Sequence, residues 1–476
     1  MTSGLRRLLS RKVASDVAAT VTGSVFAKAL AALTLLYVMR AVGANSFGLL
    51  TFGVSVIAYA SIVVAPGMLV WGTRAVACEP ELTKTYVVLI NATQLILAAI
   101  AYATVVAISS AFFEAPEARI VTFAGASLFS VAVSVDWVYQ GLQRFRLLSL
   151  GQVVSSVIAL IATVAVVRRP GDVYYVPLLT AVGQIVAAFF LIYVLWRSGA
   201  IAGAIEWKRL GSMLRSSIPL GVSLMLVTIL HYANNLALQF FRGSYELGIF
   251  AAPYRVFELC CLLPGLTANV FLPRIASETD PVRKQNELRT LVRVLVSGGA
   301  LLALVMSLEA RPLVHLLFGD KFVSSVPVLR VLGVALVFSF AAIAYITGLL
   351  GYRRDRAYFW SLFVPMTISV LGALFAVPRF GVMGATFTVA VLDLTTLFVC
   401  FVVYRAHIGR TFIEAWYRPF ASVAASAVVL LLLQYAGVFF VLRLLAVTVV
   451  YGAMVVPWGE IRRGAMHELG TVGGFS

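Results

Sequence analysis

The sequence predicts an all-α polytopic membrane protein with about fourteen transmembrane helices, arranged as two six-helix lobes followed by two C-terminal helices. Three observations support this fold class. The 476-residue chain is 61% hydrophobic and has a mean hydropathy of +0.98, which is typical of helical membrane proteins and unlike soluble domains. Apolar runs recur along its whole length, and short motifs of the first half return in the second half.

Each of the fourteen apolar runs is long enough to cross a hydrocarbon layer as a helix. In chain order they occupy residues 15–39, 47–70, 85–110, 119–139, 147–167, 173–196, 212–237, 247–272, 289–308, 323–350, 357–377, 382–404, 415–435 and 438–457. The first run is too long for the apolar core of a signal peptide, and no small-residue cleavage site follows it. We therefore expect it to remain as the first transmembrane helix.

The net charge of +17 comes from 37 basic against 20 acidic residues. The cations fall in the gaps between apolar runs rather than on one basic face, which argues against nucleic acid and favours anionic membrane lipids as partners. Most of them lie on the side that carries both termini. The positive-inside rule therefore predicts cytoplasmic termini. The four cysteines lack metal-ligand spacing, so no metal or other cofactor is expected.

The two lobes are predicted from an internal repeat. A first motif has the same glycine-to-arginine spacing in both halves. It consists of Gly48, Pro66-Gly67 and Arg74 in the first half, and of Gly248, Pro264-Gly265 and Arg274 in the second. A second motif, Gly141-Leu142-x-x-Phe145-Arg146, resembles Gly348-Leu349-x-x-Tyr352-Arg353. Six helices return the chain to its starting side, so both copies run in the same direction. The predicted parts are 1–197 (first lobe), 198–211 (cytoplasmic linker), 212–405 (second lobe) and 406–476 (two further helices and a cytoplasmic tail).

Ionisable side chains inside the apolar runs are the first candidate functional residues, because a charge at membrane depth is costly unless it is paired or hydrated. At 1.5 Å per residue, Lys28 lies about 16 Å from the outer end of the first helix and Arg255 about 12 Å from that of the eighth. One cation from each lobe at similar depth suits the binding of a pyrophosphate in a wet cavity. The alternative is structural, with both cations in internal salt bridges and Arg255 paired to Glu258 one turn away.

Five further residues are candidates for substrate contact or ion coupling. They are Glu258, Asp393, Asn234, Asn235 and Arg330. Asp393 is equally well explained by a hydrogen bond to Thr386, Thr388 or a neighbouring helix. The structural alternative for the two asparagines is a hydrogen bond between helices. The structural alternative for Arg330 is a side chain that snorkels to the outer interface. Asp136, at the cytoplasmic end of the fourth helix, is interpreted as a partner of Arg144 or Arg146.

No catalytic residue is predicted, and the chain is interpreted as a transporter rather than an enzyme. The phosphate-binding motif G-x-x-x-x-G-K-[ST] does not occur in the sequence, which argues against ATP hydrolysis by this chain. The gaps on the outer side are short, without the long loop or carboxylate cluster expected of a polysaccharide polymerase or glycosyltransferase. The membrane potential is sufficient in principle to drive export of an anion.

Five short motifs follow one another along residues 17–405. They are Arg40-Ala-Val-Gly43 with Phe47-Gly48, Asp136-Trp137-Val-Tyr-Gln140-Gly141, Leu247-Gly248-Ile-Phe, Gly319-Asp-Lys-Phe322 and Gly381-Val-Met-Gly384-Ala385. In order and topology they resemble the Wzx-type polysaccharide-export flippases of the multidrug/oligosaccharidyl-lipid/polysaccharide exporter (MOP) superfamily. The resemblance implies two six-helix lobes around a central cavity. The chain departs from it in the seventh helix, where His231, Asn234 and Asn235 stand in place of an expected acidic residue, so ion coupling there is not carried over.

The resemblance also implies a function in the bacterial cytoplasmic (inner) membrane. In this implied function, a polyprenyl-pyrophosphate-linked oligosaccharide moves from the inner to the outer leaflet by alternating access, for cell-surface polysaccharide biosynthesis. The implied partners are that lipid-linked oligosaccharide, membrane lipids and, as further candidates, a polysaccharide polymerase or glycosyltransferases. Two alternatives from the same superfamily stay open, a multidrug/cation antiporter and a lipid II flippase. The basic residues Lys28 and Arg255 favour an anionic cargo over a cationic drug.

Overall fold

The structure, a computed structural model, describes residues 3–199, 206–408, 416–436 and 438–455. Two sequence predictions fall partly outside these ranges: the cytoplasmic linker, at residues 200–205, and the C-terminal tail beyond residue 455. All regular secondary structure in the described ranges is helical. Helices satisfy their backbone polar groups internally, as a chain in hydrocarbon requires, and the predicted all-α fold is confirmed.

Sixteen α-helices make up the described parts of the chain. In order they are α1 (Ser3–Val64), α2 (Met68–Cys78), α3 (Thr83–Phe112), α4 (Ala115–Gly125), α5 (Ser127–Val133), α6 (Asp136–Gly141), α7 (Phe145–Val166), α8 (Tyr175–Arg197), α9 (Leu210–Arg242), α10 (Ser244–Ser277), α11 (Pro281–Leu308), α12 (Ala310–Phe318), α13 (Val326–Gly351), α14 (Asp355–Ile408), α15 (Tyr417–Tyr435) and α16 (Phe440–Val455). Short 3-10 turns precede α3, α8, α9 and α13.

Ten stretches of the described chain are long and apolar enough to cross a membrane. Two of these are double-length, at 43 and 52 residues. Each contains one glycine with a non-helical backbone, Gly43 in α1 and Gly381 in α14, so each is a pair of transmembrane helices. Helices α9 and α16 supply the remaining crossings among the described residues. The prediction of about fourteen transmembrane helices is confirmed.

Backbone geometry supports the internal repeat. Gly43 has φ and ψ of 78° and 176°, and Gly243, 200 residues later, has 85° and 177°. This region of backbone space is open mainly to glycine. The two glycines therefore make the same turn, just before the paired Gly48 and Gly248 of the sequence repeat.

At the second repeated motif the structure corrects the sequence alignment by three residues. Gln143 and Arg353 both have a φ of 55°, a left-handed conformation that is rare for residues other than glycine. The next amide in each case, that of Arg144 or Arg354, donates to the carbonyl five residues earlier at 2.9 Å. Gly141 therefore corresponds structurally to Gly351, not to Gly348, because turn geometry rather than the Gly-Leu pair is what repeats.

Helices α1 and α10 cross at small residues. Ala44 and Gly48 of α1 face Ser244 and Gly248 of α10, so each helix offers two small residues one turn apart. A Cβ atom on Gly48 would overlap the carbonyl oxygen of Ser244, and one on Gly248 would overlap that of Ala44. The close approach of these helices therefore requires glycine at both equivalent positions of the repeat.

The chain divides into two compact units, Met1–Ala251 and Ala252–Ser476. In the first unit, Trp137 and Tyr139 of α6 are buried in the core, and the Tyr139 hydroxyl donates to the Leu191 carbonyl of α8 at 2.7 Å. The lobe boundary at 198–211 was drawn from the sequence repeat, which is a different criterion from compactness. It stays a prediction.

The end of the linker is fixed to the first unit by Arg209. Its guanidinium donates to Glu79 at 2.8 Å and to Glu206 at 2.7 Å. The hydrogen bond to Glu206 and the nearby negative charge raise the pKa of Arg209. This side chain therefore stays charged at any physiological pH and holds the start of α9 beside the turn that precedes α3.

In the second unit, a buried ion pair attaches the appended helices. Glu309, fully buried at the end of α11, lies 3.2 Å from Arg443 of α16, and Gln434 of α15 donates to the same carboxylate at 3.1 Å. Tyr451 of α16 adds a hydrogen bond to the Ser297 carbonyl at 2.8 Å. One carboxylate of α11 thus holds both C-terminal helices.

We expect Gly248→Ala to destabilise the protein by about 1–3 kcal/mol, the usual cost of overpacking, because the new methyl group overlaps the α1 backbone. Gly265→Ala in the same helix is the matched control, since a Cβ atom there meets nothing within 4 Å. Thermal unfolding of the detergent-purified protein measures both. Equal unfolding temperatures for the two variants would contradict the close crossing.

We expect Arg443→Leu to cost about 3–5 kcal/mol, because it leaves the buried Glu309 carboxylate without its counter-charge. The double variant Glu309→Leu/Arg443→Leu should recover most of that loss, since it removes both charges. Chemical denaturation followed by tryptophan fluorescence gives the comparison, with the exposed Arg379→Leu as control. A double variant as unstable as the single one would show that the pair is not the attachment.

Candidate functional site

Lys28 lies on the face of α1 that packs near α7. Gly23 of α1 approaches Ser149 so closely that a Cβ atom would stand 2.8 Å from its side chain. The hydroxyl of the next residue, Ser24, donates to the Gln152 Oε1 atom at 3.2 Å. Lys28 follows one turn later with its side chain exposed rather than packed. Small and polar residues therefore give this part of α1 an interior surface beside its charge.

Lys28 lines a cavity of about 390 Å³ inside the first unit. The walls come from α1, α2, α5, α7 and α8, together with the break before α6. Besides Lys28, the polar side chains that line it are Ser130, Ser134, Asp136, Gln152, Ser155, Ser156 and Gln184. The sequence analysis expected a wet cavity with one cation from each lobe, Lys28 and Arg255. The described residues that line the present cavity all belong to the first unit, and a role for both cations at one substrate stays a prediction.

Asp136 reaches this cavity because the fourth predicted transmembrane helix is broken. The apolar run 119–139 forms three short helices, and Ser134 between the last two has an extended backbone with a ψ of 137°. The sequence interpretation paired Asp136 with Arg144 or Arg146. In the structure Arg144 donates to Ser198 at 3.4 Å, and Asp136 lines the cavity with Lys28. The Ser-x-Asp pattern within an apolar run was the signal for this break.

Arg255 and Glu258 form an ion pair within α10. The guanidinium donates to Glu258 at 2.8 Å, and the two side chains are 28% and 23% exposed. The structural alternative considered for Arg255 is thus a real contact. Arg255 still has donors for another partner, because a guanidinium has five N–H groups in a planar fork and the bond to Glu258 uses one of them.

Asp393 of α14 belongs to a second polar group in the same unit. The hydroxyls of Thr386 and Thr388 donate to carbonyls of their own helix, at 2.7 Å each, so they do not donate to Asp393. Ser339 of α13 lies beside the Asp393 carboxylate instead, while the Asp393 Oδ2 atom is buried and has no hydrogen-bond partner among the described residues. Of its two structural interpretations, contact with a neighbouring helix is the one observed.

Asn235 connects two helices of the first unit. It is buried at 5% exposure, and its amide donates to the Ser55 hydroxyl of α1 at 3.0 Å. This contact favours the interhelical interpretation for Asn235, while the neighbouring Asn234 is only partly buried. Arg330 is exposed near the start of α13, where its carbonyl accepts from Ser307 at 3.2 Å. Its exposure at a helix end is consistent with snorkelling.

The fold is that of transporters of the MOP superfamily. Lipid II flippase MurJ, in an inward closed conformation, matches with a TM-score of 0.73 at 10% identity, over 91% of this chain and 97% of that one. An inward-facing multidrug resistance MATE family transporter matches at 0.61 and 15% identity, over 83% and 95%. A MOP superfamily transporter from Pyrococcus furiosus matches at 0.52 and 15% identity, over 82% and 95%. At such identities the likeness establishes the fold.

The family follows from the sequence match. The family described as polysaccharide biosynthesis protein matches residues 13–278, more than half of the chain, and this chain belongs to that family. A Shigella dysenteriae protein named for O-antigen transport is 22% identical over 126 residues, which is 26% of this chain and 32% of the relative. The match thus spans about a third of that relative's length. Family and fold together indicate an integral membrane protein of the polysaccharide biosynthesis protein family.

We expect a cysteine at position 28 to react with a charged, membrane-impermeant thiol reagent, because Lys28 lines a polar cavity and only a hydrated thiol ionises readily. Ile100→Cys is the control. Ile100 is 58% exposed, but in the middle of an apolar helix, so its surroundings are lipid. Labelling is measured in open membrane fragments, with the four native cysteines replaced by alanine. An inert Lys28→Cys would show that this position faces hydrocarbon.

Proposed function

We propose that the protein is a flippase that moves a polyprenyl-pyrophosphate-linked oligosaccharide from the inner to the outer leaflet of a bacterial cytoplasmic membrane. Both termini lie in the cytoplasm, as the distribution of Lys and Arg predicts. One observation carries the proposal: in a member of the polysaccharide biosynthesis protein family, a membrane-depth lysine lines a polar cavity. Such a substrate keeps its prenyl tail in lipid, whereas its phosphates and sugars require polar surroundings.

Lys28 and Arg255 have different chemical roles in this proposal. Lys28 is exposed and flexible, so its ammonium acts as a point charge that attracts the pyrophosphate. Arg255 is held by Glu258 at 2.8 Å and presents its remaining N–H donors in a fixed orientation, which suits bidentate binding of phosphate oxygens. Each cation contacts the headgroup during its passage and lowers the cost of taking phosphate away from water.

The membrane potential favours movement in this direction. The cell interior is negative, and each charge that crosses gains about 2.3 kcal/mol per 100 mV. A headgroup with about two negative charges therefore gains roughly 4–5 kcal/mol per 100 mV on moving outward. Coupling to a returning proton or cation through Glu258 or Asp393 would add to this gain, but outward transport of an anion does not require it.

The two alternatives differ from this proposal in their cargo. A multidrug/cation antiporter binds cations, and the cavity in the first unit combines Asp136 with Lys28 rather than presenting carboxylates alone. A lipid II flippase carries the same pyrophosphate on a peptide-bearing glycolipid, so it shares the requirement for Lys28 and Arg255. Transport assays with the three cargoes separate the possibilities.

We expect Lys28→Ala and Arg255→Ala each to reduce flipping of a pyrophosphate-linked glycolipid at least tenfold, because a charged hydrogen bond is worth about 1.5–3 kcal/mol and tenfold is 1.4 kcal/mol. Lys28→Arg should retain most activity, since it keeps the charge. The assay uses proteoliposomes with an imposed inside-negative potential and measures the glycolipid accessible in the outer leaflet. Lipid II and a fluorescent organic cation serve as the competing cargoes.

Lys208→Ala is the matched control, because it removes a cation from the predicted cytoplasmic surface, in the 3-10 turn before α9. We expect its flipping rate to equal that of the unaltered protein. Full transport by both Lys28→Ala and Arg255→Ala would refute the pyrophosphate role. Transport of the organic cation in place of the glycolipid would identify the antiporter alternative.

A further inference from the structure

We propose that the cavity of the first unit is a carbohydrate subsite, which binds the sugar next to the pyrophosphate through Asp136, Gln152 and Gln184. This inference rests on the proposed flippase function and adds a specific recognition site to it. Lys28 keeps its role toward the phosphates. The other polar lining residues are neutral hydrogen-bonding groups and one carboxylate, set among small apolar residues such as Ala27, Ala31 and Ala187. A polyhydroxylated ligand with partly apolar faces suits this mixture.

The cavity offers hydrogen-bonding groups that the protein leaves unused. The Oε1 atom of Gln184 accepts from Ser130 at 2.5 Å, and that of Gln152 accepts from Ser24 at 3.2 Å. With each oxygen occupied, both Nε2 groups are left to donate, and no described residue accepts from them. The Asp136 carboxylate likewise receives no hydrogen bond from the part of the chain that the structure describes.

These hydrogen bonds also fix the orientation of the two amides. In the structure a serine hydroxyl contacts each Oε1 atom, and the NH₂ group of the same amide therefore lies away from that serine. A sugar hydroxyl is both donor and acceptor, and it can donate to a carboxylate while accepting from an amide. A site with the donors and the acceptor already oriented loses little entropy when such a ligand binds.

Charge and size agree with a neutral sugar. Among the described lining residues, Lys28 is balanced by Asp136, and no ion pair joins them in the described structure. A cavity that carries one charge of each sign gives a dianion little net attraction, and so the phosphates bind at Lys28 rather than throughout the cavity. The volume of about 390 Å³ lies within the range of small-molecule sites.

The break between α5 and α6 brings the Asp136 carboxylate into the cavity. A continuous helix over 119–139 would have kept Ser134 and Asp136 in one helical register, on faces 200° apart at 100° per residue. The extended backbone at Ser134 instead places both residues in the cavity wall. Selection of a sugar therefore depends on the unwound segment between α5 and α6 rather than on an uninterrupted helix face.

The test compares two water-soluble probes of equal charge, a pyrophosphate diester of citronellol and methanol and the diester in which one sugar replaces the methyl group. The sugars tested are N-acetylglucosamine, glucose and galactose. Dissociation constants are measured by calorimetry on the full-length detergent-purified protein. We expect at least one sugar to improve affinity tenfold or more in the unaltered protein. Gln184→Leu should abolish that gain while changing the affinity for the sugar-free probe less than twofold. Asp136→Asn should abolish the gain as well, and it should not weaken binding of the sugar-free probe, because it removes the negative charge that balances Lys28.

Lys28→Ala should weaken binding of both probes by the same factor and preserve the gain from the sugar. That pattern would support separate contacts for sugar and phosphate. A gain that persists in both Asp136→Asn and Gln184→Leu, or no gain with any of the three sugars, would overturn the subsite and leave the flippase proposal intact. Failure of the unaltered protein to bind either probe would overturn the flippase proposal, and the subsite with it. Binding of the sugar-free probe by the variants also shows that they are folded.

Discussion

Hydrocarbon offers no partner to a polar group, so every ionisable side chain inside a membrane span must find one in the protein or line a hydrated space. The charged residues of this chain show both outcomes. Glu309 and Arg443 are paired in a dry environment, where their effect is to attach helices. Lys28 and Asp136 share a polar cavity without pairing to each other. Arg255 and Glu258 combine the two, since they are paired yet about a quarter exposed. The same constraint thus separates structural charges from those available to a substrate.

The internal repeat is a constraint on backbone geometry more than on side chains. Gly43 and Gly243 make the same turn, and Gly48 and Gly248 meet at one crossing, because close approach of two helices leaves no room for a Cβ atom. Ionisable residues are not repeated in this way. The duplicated architecture therefore gives two similar scaffolds that carry different polar groups.

Sequence reasoning about the site succeeded where the information was local. The pairing of Arg255 with Glu258 follows from their spacing on one helix, and it was anticipated. The surroundings of Lys28 were not, since Gln152 and Gln184 come from helices more than a hundred residues away. Asp136 was assigned to a loop partner because the fourth apolar run looked continuous. Its break depends on how α4, α5 and α6 pack against other helices, which hydropathy does not report.

By itself the sequence determined the all-helical class, the number of membrane crossings and the presence of a repeat, because run length and hydropathy fix whether a segment can lie in lipid. The tertiary structure decided which polar residues meet and where helices break. It also set the register of the second repeated motif, in which Gln143 and Arg353 share a left-handed backbone that no residue pattern signalled. Those features are set by contacts between distant segments, and a single sequence contains no direct record of such contacts.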